Sequence, residues 1–119
     1  MKFFHKNIYF PQISFQFEGI WKIEHTVHSA RAELNDEDRI YLPPTIELND
    51  WEVIEIGLEK DRLEQFLIRK PYSYNQLFDL NLVVMPQNNN ILTLKTCWLN
   101  RNTDQHVTLI KEKYTQCKN

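Results

Sequence analysis

An α+β architecture, one N-terminal helix packed on a four- to five-stranded antiparallel sheet, is what the sequence predicts, and three observations carry it. Residues 24–34 (EHTVHSARAEL) place Val27, Ala30, Arg31 and Leu34 at spacings of three and four, which lines up one face of a helix. Four apolar runs of strand length follow between residues 51 and 99, separated by short polar turns. Between helix and runs stands Pro43–Pro44, which forces an extended connection.

Taken in order, residues 1–23 are dense in aromatic side chains, among them Phe4, Tyr9, Phe15, Phe17 and Trp21. From Ile13 the pattern I-S-F-Q-F-E alternates with period two, as a half-buried strand does, and Gly19 marks its end or a bend. This stretch reads as an N-terminal arm or edge strand on the core, or else as an aromatic surface for a partner. Residues 24–116 read as a single domain. Its helix is expected to stop at Asn35 and Asp36. Residues 51–58 (WEVIEIGL) and 62–69 (RLEQFLIR) form a hairpin across Glu59, Lys60 and Asp61. A loop, KPYSYN, leads into residues 77–85 (LFDLNLVVM), with Leu80, Leu82 and Val84 on one face. The turn PQNNN returns the chain as a fourth strand over residues 91–99. That last strand puts Leu94, Thr96 and Trp98 on one side and Thr93, Lys95 and Cys97 on the other.

Composition narrows the functional classes. The 119 residues suffice for one domain with a core of its own, and 42% hydrophobic content argues against disorder over the whole length. Two glycines leave no glycine-rich phosphate loop of the Rossmann or P-loop kind. Fourteen basic against sixteen acidic residues give a net charge of −2, which weighs against extensive nucleic-acid contact. Two cysteines, Cys97 and Cys117, form no disulfide framework, and Cys97 sits in an apolar run as a small buried hydrophobe. The opening MKFFHKNIYFPQ starts like a signal peptide, but His5, Lys6, Asn7 and Pro11 interrupt it, and no run is long enough to span a membrane. A reduced, cytoplasmic setting is expected.

The residues able to bind or transfer protons gather in residues 91–114, ILTLKTCWLNRNTDQHVTLIKEKY. His106 follows Asp104 by two positions, so in extended chain the carboxylate lies on the same side and orients the imidazole. Such a histidine suits general acid or base work; its plainer reading is a solvated loop residue. His25 and His28 lie three apart on the helix as possible counterparts. Arg31 stands on the apolar side of that helix, either snorkelling or facing a carboxylate or phosphate. Lys95 interrupts the last strand and marks either a solvated face or a phosphate contact. His25-x-x-His28 with Asp104-x-His106 supplies ligand types for zinc, but the spacing matches no closed zinc pattern, so neither metal nor cofactor is expected.

His25, His28-Ser29-Ala30-Arg31, the extended Ile40-x-Leu42-Pro43-Pro44 segment and the closing series Lys95, Thr96, Trp98, Asn100, Asp104, His106, Thr108, Leu109 and Tyr114 resemble small bacteriophage proteins over residues 24–114. That family is similar in outline to the RelE, barnase, EndoU and colicin group of metal-independent ribonucleases. The resemblance implies a RelE-like fold and cleavage of single-stranded or transfer RNA by attack of the 2′-hydroxyl. His106, His25, His28 and Lys95 would be catalytic, and Arg31, Asn100, Asp104, Thr108 and Tyr114 would bind substrate. The second class is a non-catalytic phage-encoded protein that binds and inhibits a host or defence protein in the bacterial cytoplasm. There Asn100 and Asp104 fix the loop after the last strand, His106 and Thr108 satisfy backbone groups and Tyr114 packs. Neither class implies a membrane, and nothing in the residues indicates an oligomeric state.

Overall fold

The computed structural model describes residues 1–26, 40–103 and 111–115. Among these residues seven strands form one mixed sheet: β1 (Lys2–His5), β2 (Ile20–His25), β3 (Thr45–Glu47), β4 (Glu52–Glu59), β5 (Arg62–Pro71), β6 (Phe78–Gln87) and β7 (Ile91–Arg101). Their order across the sheet is β1-β4-β5-β6-β7-β2-β3. The four consecutive strands β4 to β7 are the meander expected from the sequence. Its two tight turns carry Lys60 and Asp61 at φ 50° and 63°, and Asn89 and Asn90 at φ 63° and 54°. Such left-handed pairs match the twist of the flanking strands.

The expected α+β, RelE-like arrangement is overturned. Among the described residues the only helical pieces are two 3₁₀ turns, Leu48–Asp50 and Lys111–Lys113. Glu24 and His25, assigned to the helix start, are instead the last residues of β2; the expected helix from Val27 onward lies outside the described residues. The cause is the pattern just upstream: Trp21 and Ile23 are buried while Ile20, Lys22 and Glu24 are exposed, a period of two. β2 lies parallel to β7, with Ile23 beside Leu92 and His25 beside Leu94, which makes the sheet mixed. β3 adds to its far side with Trp21 opposite Ile46, and β1 caps the other edge against β4.

One face of the sheet is apolar. Ile56, Phe66, Val84 and Leu94 run across it in register, with Phe4 beside Ile56 and Ile23 beside Leu92. The arm between β1 and β2 lies over this face. The strand expected over residues 13–18 does not form, yet its alternation survives: Ile13, Phe15 and Phe17 pack on the core while Ser14, Gln16 and Glu18 are exposed. Phe15 and Phe17 meet Phe66 with ring centroids at 5.6 and 4.9 Å. Gly19 ends the arm at φ +88°; its N–H donates to Asn49 Oδ1 and its carbonyl accepts from Leu48 N, both at 2.9 Å.

The opposite face buries polar groups: His5, Glu55, Gln65, Asp79 and Asn81. The pairs His5–Glu55 and Arg69–Asn81 are direct cross-strand neighbours on it. Side assignments on β7 also change. The pairing jumps from Val83–Thr96 to Val84–Leu94, so Lys95 is an extra residue, a β-bulge. Beyond the bulge the phase reverses, and Cys97 joins Leu92 and Leu94 in the core instead of sharing a side with Thr93 and Lys95. No helix among the described residues is long and apolar enough to cross a membrane.

Candidate functional site

Four of the expected site residues are described: His25, Lys95, Asn100 and Tyr114. His28, Arg31, Asp104, His106 and Thr108 lie outside the described residues. His25 ends β2 beside Leu94, so its backbone and that of Lys95 are neighbours, and both side chains are exposed. The Lys95 ammonium donates to Gln65 Oε1 at 3.1 Å. Asn100 lies near the far end of β7, where its Oδ1 accepts from Asn81 Nδ2. Tyr114 bridges to Phe3 on β1, separated from β7 by β4, β5 and β6. The structure therefore brings His25 and Lys95 close in the backbone and leaves Asn100 and Tyr114 elsewhere.

Tyr114 is the member with the densest surroundings. Its hydroxyl donates to Glu55 Oε2, while Lys113 Nζ donates to Glu55 Oε1 at 2.9 Å. The His5 ring stands edge-on to the Tyr114 ring at 5.0 Å, and Lys113 lies 4.5 Å above the Phe3 ring. Burial, then the hydrogen bond to Glu55 and its negative charge, hold the Tyr114 phenol well above its ordinary pKa. A second polar group flanks the start of β4, where Glu52 pairs with Lys6 and with Arg69, which also faces Asp79 at 3.8 Å. Burial and the nearby Arg69 charge lower the Lys6 pKa. These ties join β1, β4, β5, β6 and the segment after β7, which is structural work.

An open cleft of about 390 Å³ lies at the end of β5, built from two stretches that the sequence marks only as loop and connection, YLPP and KPYSY. Trp51, which closes the 3₁₀ turn Leu48–Asp50, and buried Leu80 complete its described lining. Each wall is held from outside. Pro44 carbonyl accepts from Ile23 N at 2.8 Å, so the Pro-Pro segment leans on β2. The 72–78 loop closes on itself through Tyr72 N to Phe78 O at 2.9 Å and Phe78 N to Asn75 O at 3.1 Å. Asn102, just past β7, clamps it with bonds to the Leu77 and Gln76 carbonyls at 3.0 and 2.8 Å.

Three tyrosines give the cleft its surface. Tyr72 is buried, and its hydroxyl accepts from Tyr41 N–H at 2.9 Å, joining the two walls. Tyr74 contacts both neighbours, 5.2 Å from the Tyr41 ring and 5.6 Å from the Tyr72 ring, tilted by 45° and 54°. Tyr41 and Tyr74 are 54% and 71% exposed, and Leu77, farther along the 72–78 loop, is 67% exposed. Lys70 is the one charged residue among the described residues of the lining, its ammonium 5.9 Å from the Trp51 ring centroid. Comparison with protein-family models, curated proteins and solved structures finds no match. The reading of this cleft rests on its own geometry.

Sequence reasoning passed over Tyr41, Trp51, Lys70, Tyr72 and Tyr74. The available signal was two short tyrosine-proline clusters, each in a segment that Pro makes non-helical. Tyr72→Phe tests the link between the walls. Loss of the acceptor for Tyr41 N–H is expected to cost about 1 kcal/mol, seen as a lower urea midpoint at unchanged m-value. An unchanged midpoint would show that the bond contributes nothing to the cleft's rigidity.

Proposed function

We propose that this is a non-catalytic interaction protein that holds a short extended segment of a partner protein in the tyrosine cleft. The observation that carries the reading is the pair of exposed rings, Tyr41 and Tyr74, on a wall fixed by buried Tyr72. Tyrosine and tryptophan supply large contact area with few rotatable bonds, so a preformed cleft of them binds at low entropic cost. Its volume matches a few residues of extended chain better than a whole domain face. By the resemblance to bacteriophage proteins, the partner is a host or defence protein in the bacterial cytoplasm.

The polar side chains of three described candidates support this reading over ribonuclease chemistry. Tyr114 and Asn100 are engaged with Glu55 and Asn81 at separate places, and Lys95 with Gln65. The experiment has two arms. Peptides selected from a displayed random library on the immobilised protein are expected to lose binding at least tenfold to Tyr74→Ala. Single-stranded and transfer RNA incubated with the wild type in chelator are expected to stay intact. Cleavage in chelator that disappears in His106→Ala would overturn the proposal in favour of an endoribonuclease, and selected peptides indifferent to Tyr74→Ala would remove the cleft from it.

A further inference from the structure

The geometry points to the chemistry of the segment this cleft takes: an extended, proline-containing peptide with a carboxylate beside the proline. The inference rests on the interaction reading above and adds the ligand class. Charge is the first argument. Lys70 stands at the cleft with no acidic side chain among its described lining, whereas nearby Arg69 is already occupied by Glu52 and Asp79. An anion on the ligand is drawn to Lys70, and a cation is repelled by it.

Ring geometry is the second argument. The Tyr74 ring is inclined to the Tyr41 ring by 45° and to the Tyr72 ring by 54°, at centroid spacings of 5.2 and 5.6 Å, so the three do not form one flat stacking platform. Inclined rings form shallow notches that accept the edge of a compact saturated ring. Proline supplies that ring, and its segments hold the polyproline II form before binding, so little order is lost on entering an aromatic groove. A single-stranded nucleic acid needs several cations along its backbone, and the described lining offers one on a chain of net charge −2.

The test uses fluorescence anisotropy with four labelled nine-residue probes on the full chain. They are alternating proline and glutamate, the same peptide with lysine for glutamate, the same with glycine for proline, and an oligouridylate. Expected is binding of the proline-glutamate probe, weakened about fivefold or more by the change to lysine and as strongly by the change to glycine. Lys70→Glu is expected to reverse the preference between glutamate and lysine probes, and Tyr74→Ala to abolish both. Lys70 and Tyr74 are exposed, so neither change disturbs the core. Equal binding of the charge variants, equal binding of the glycine probe, or no binding of any peptide would overturn the ligand class. Oligouridylate binding lost in Tyr74→Ala would overturn the peptide class while keeping the cleft as the ligand site. Peptide binding unchanged in Tyr74→Ala would overturn the cleft itself.

Discussion

Phe66→Ala is expected to destabilise the protein by about 3–5 kcal/mol, the usual range for removing a large aromatic side chain from a packed interior. Phe66 is 1% exposed at the middle of β5, with Ile56 and Val84 as cross-strand neighbours. Above it lie Phe15 and Phe17, the latter edge-on at 84°. Sheet hydrogen bonds do not hold this part of the arm, which is attached by side-chain packing, including the ring contacts on Phe66 and that of Phe15 on Trp21. Alanine would leave a cavity whose roof has no ladder to keep it in place. The expected readout is a large fall in urea midpoint with little change in slope, together with faster proteolysis between residues 10 and 18. Phe66→Leu, which keeps most of the volume, is expected to restore much of the loss. A cost below about 1 kcal/mol for alanine would mean that the arm closes the cavity by itself or does not pack there.

The arm also shows where local sequence information ends. Alternation at Ile13, Phe15 and Phe17 identifies which side chains face inward, but it does not say whether a partner strand is available to bond the backbone. The meander was legible because each of its pairings is local: β4 to β7 follow one another through short turns, and the turn residues at Lys60–Asp61 and Asn89–Asn90 fit the left-handed conformations required. The parallel pairing of β2 with β7 and the capping of β4 by β1 join residues remote in the chain, and no local period encodes them. Trp21 and Ile23 could equally have belonged to the end of an arm; pairing with β3 and β7 makes them core. One bulge at Lys95 was enough to exchange the sides of Cys97 and Trp98, because a single inserted residue reverses a period of two. The cleft was illegible for a related reason. YLPP and KPYSY are far apart in sequence, and only in the fold do the Tyr72–Tyr41 bond and the Tyr41–Tyr74 ring contact make their tyrosines one surface.

Glu55→Ala is expected to cost about 2–4 kcal/mol, because it removes the acceptor of two donors at once. Lys113 is 37% exposed at its side chain and can turn to water, but Tyr114 at 6% cannot, so its hydroxyl would be left buried without this acceptor. Tyr114→Phe is the milder change, about 1–2 kcal/mol, since Glu55 keeps Lys113. The pH dependence tests whether the fold holds this phenol in its protonated form. The folded phenol binds its proton more tightly than the unfolded one, chiefly through burial and then through Glu55. Its contribution to stability is therefore complete below about pH 10, the ordinary phenol pKa, and declines as pH rises beyond it. In that range the unfolded chain releases a proton that the native state retains. Wild type is expected to lose stability faster than Tyr114→Phe above about pH 10, with the difference approaching one proton. Parallel pH profiles for the two proteins would show that the Tyr114 phenol is neither buried nor bonded to Glu55 in solution. The segment after β7 would then be held to β1 by little more than the 2.7 Å bond from Thr115 N to Phe3 O and its ring contacts.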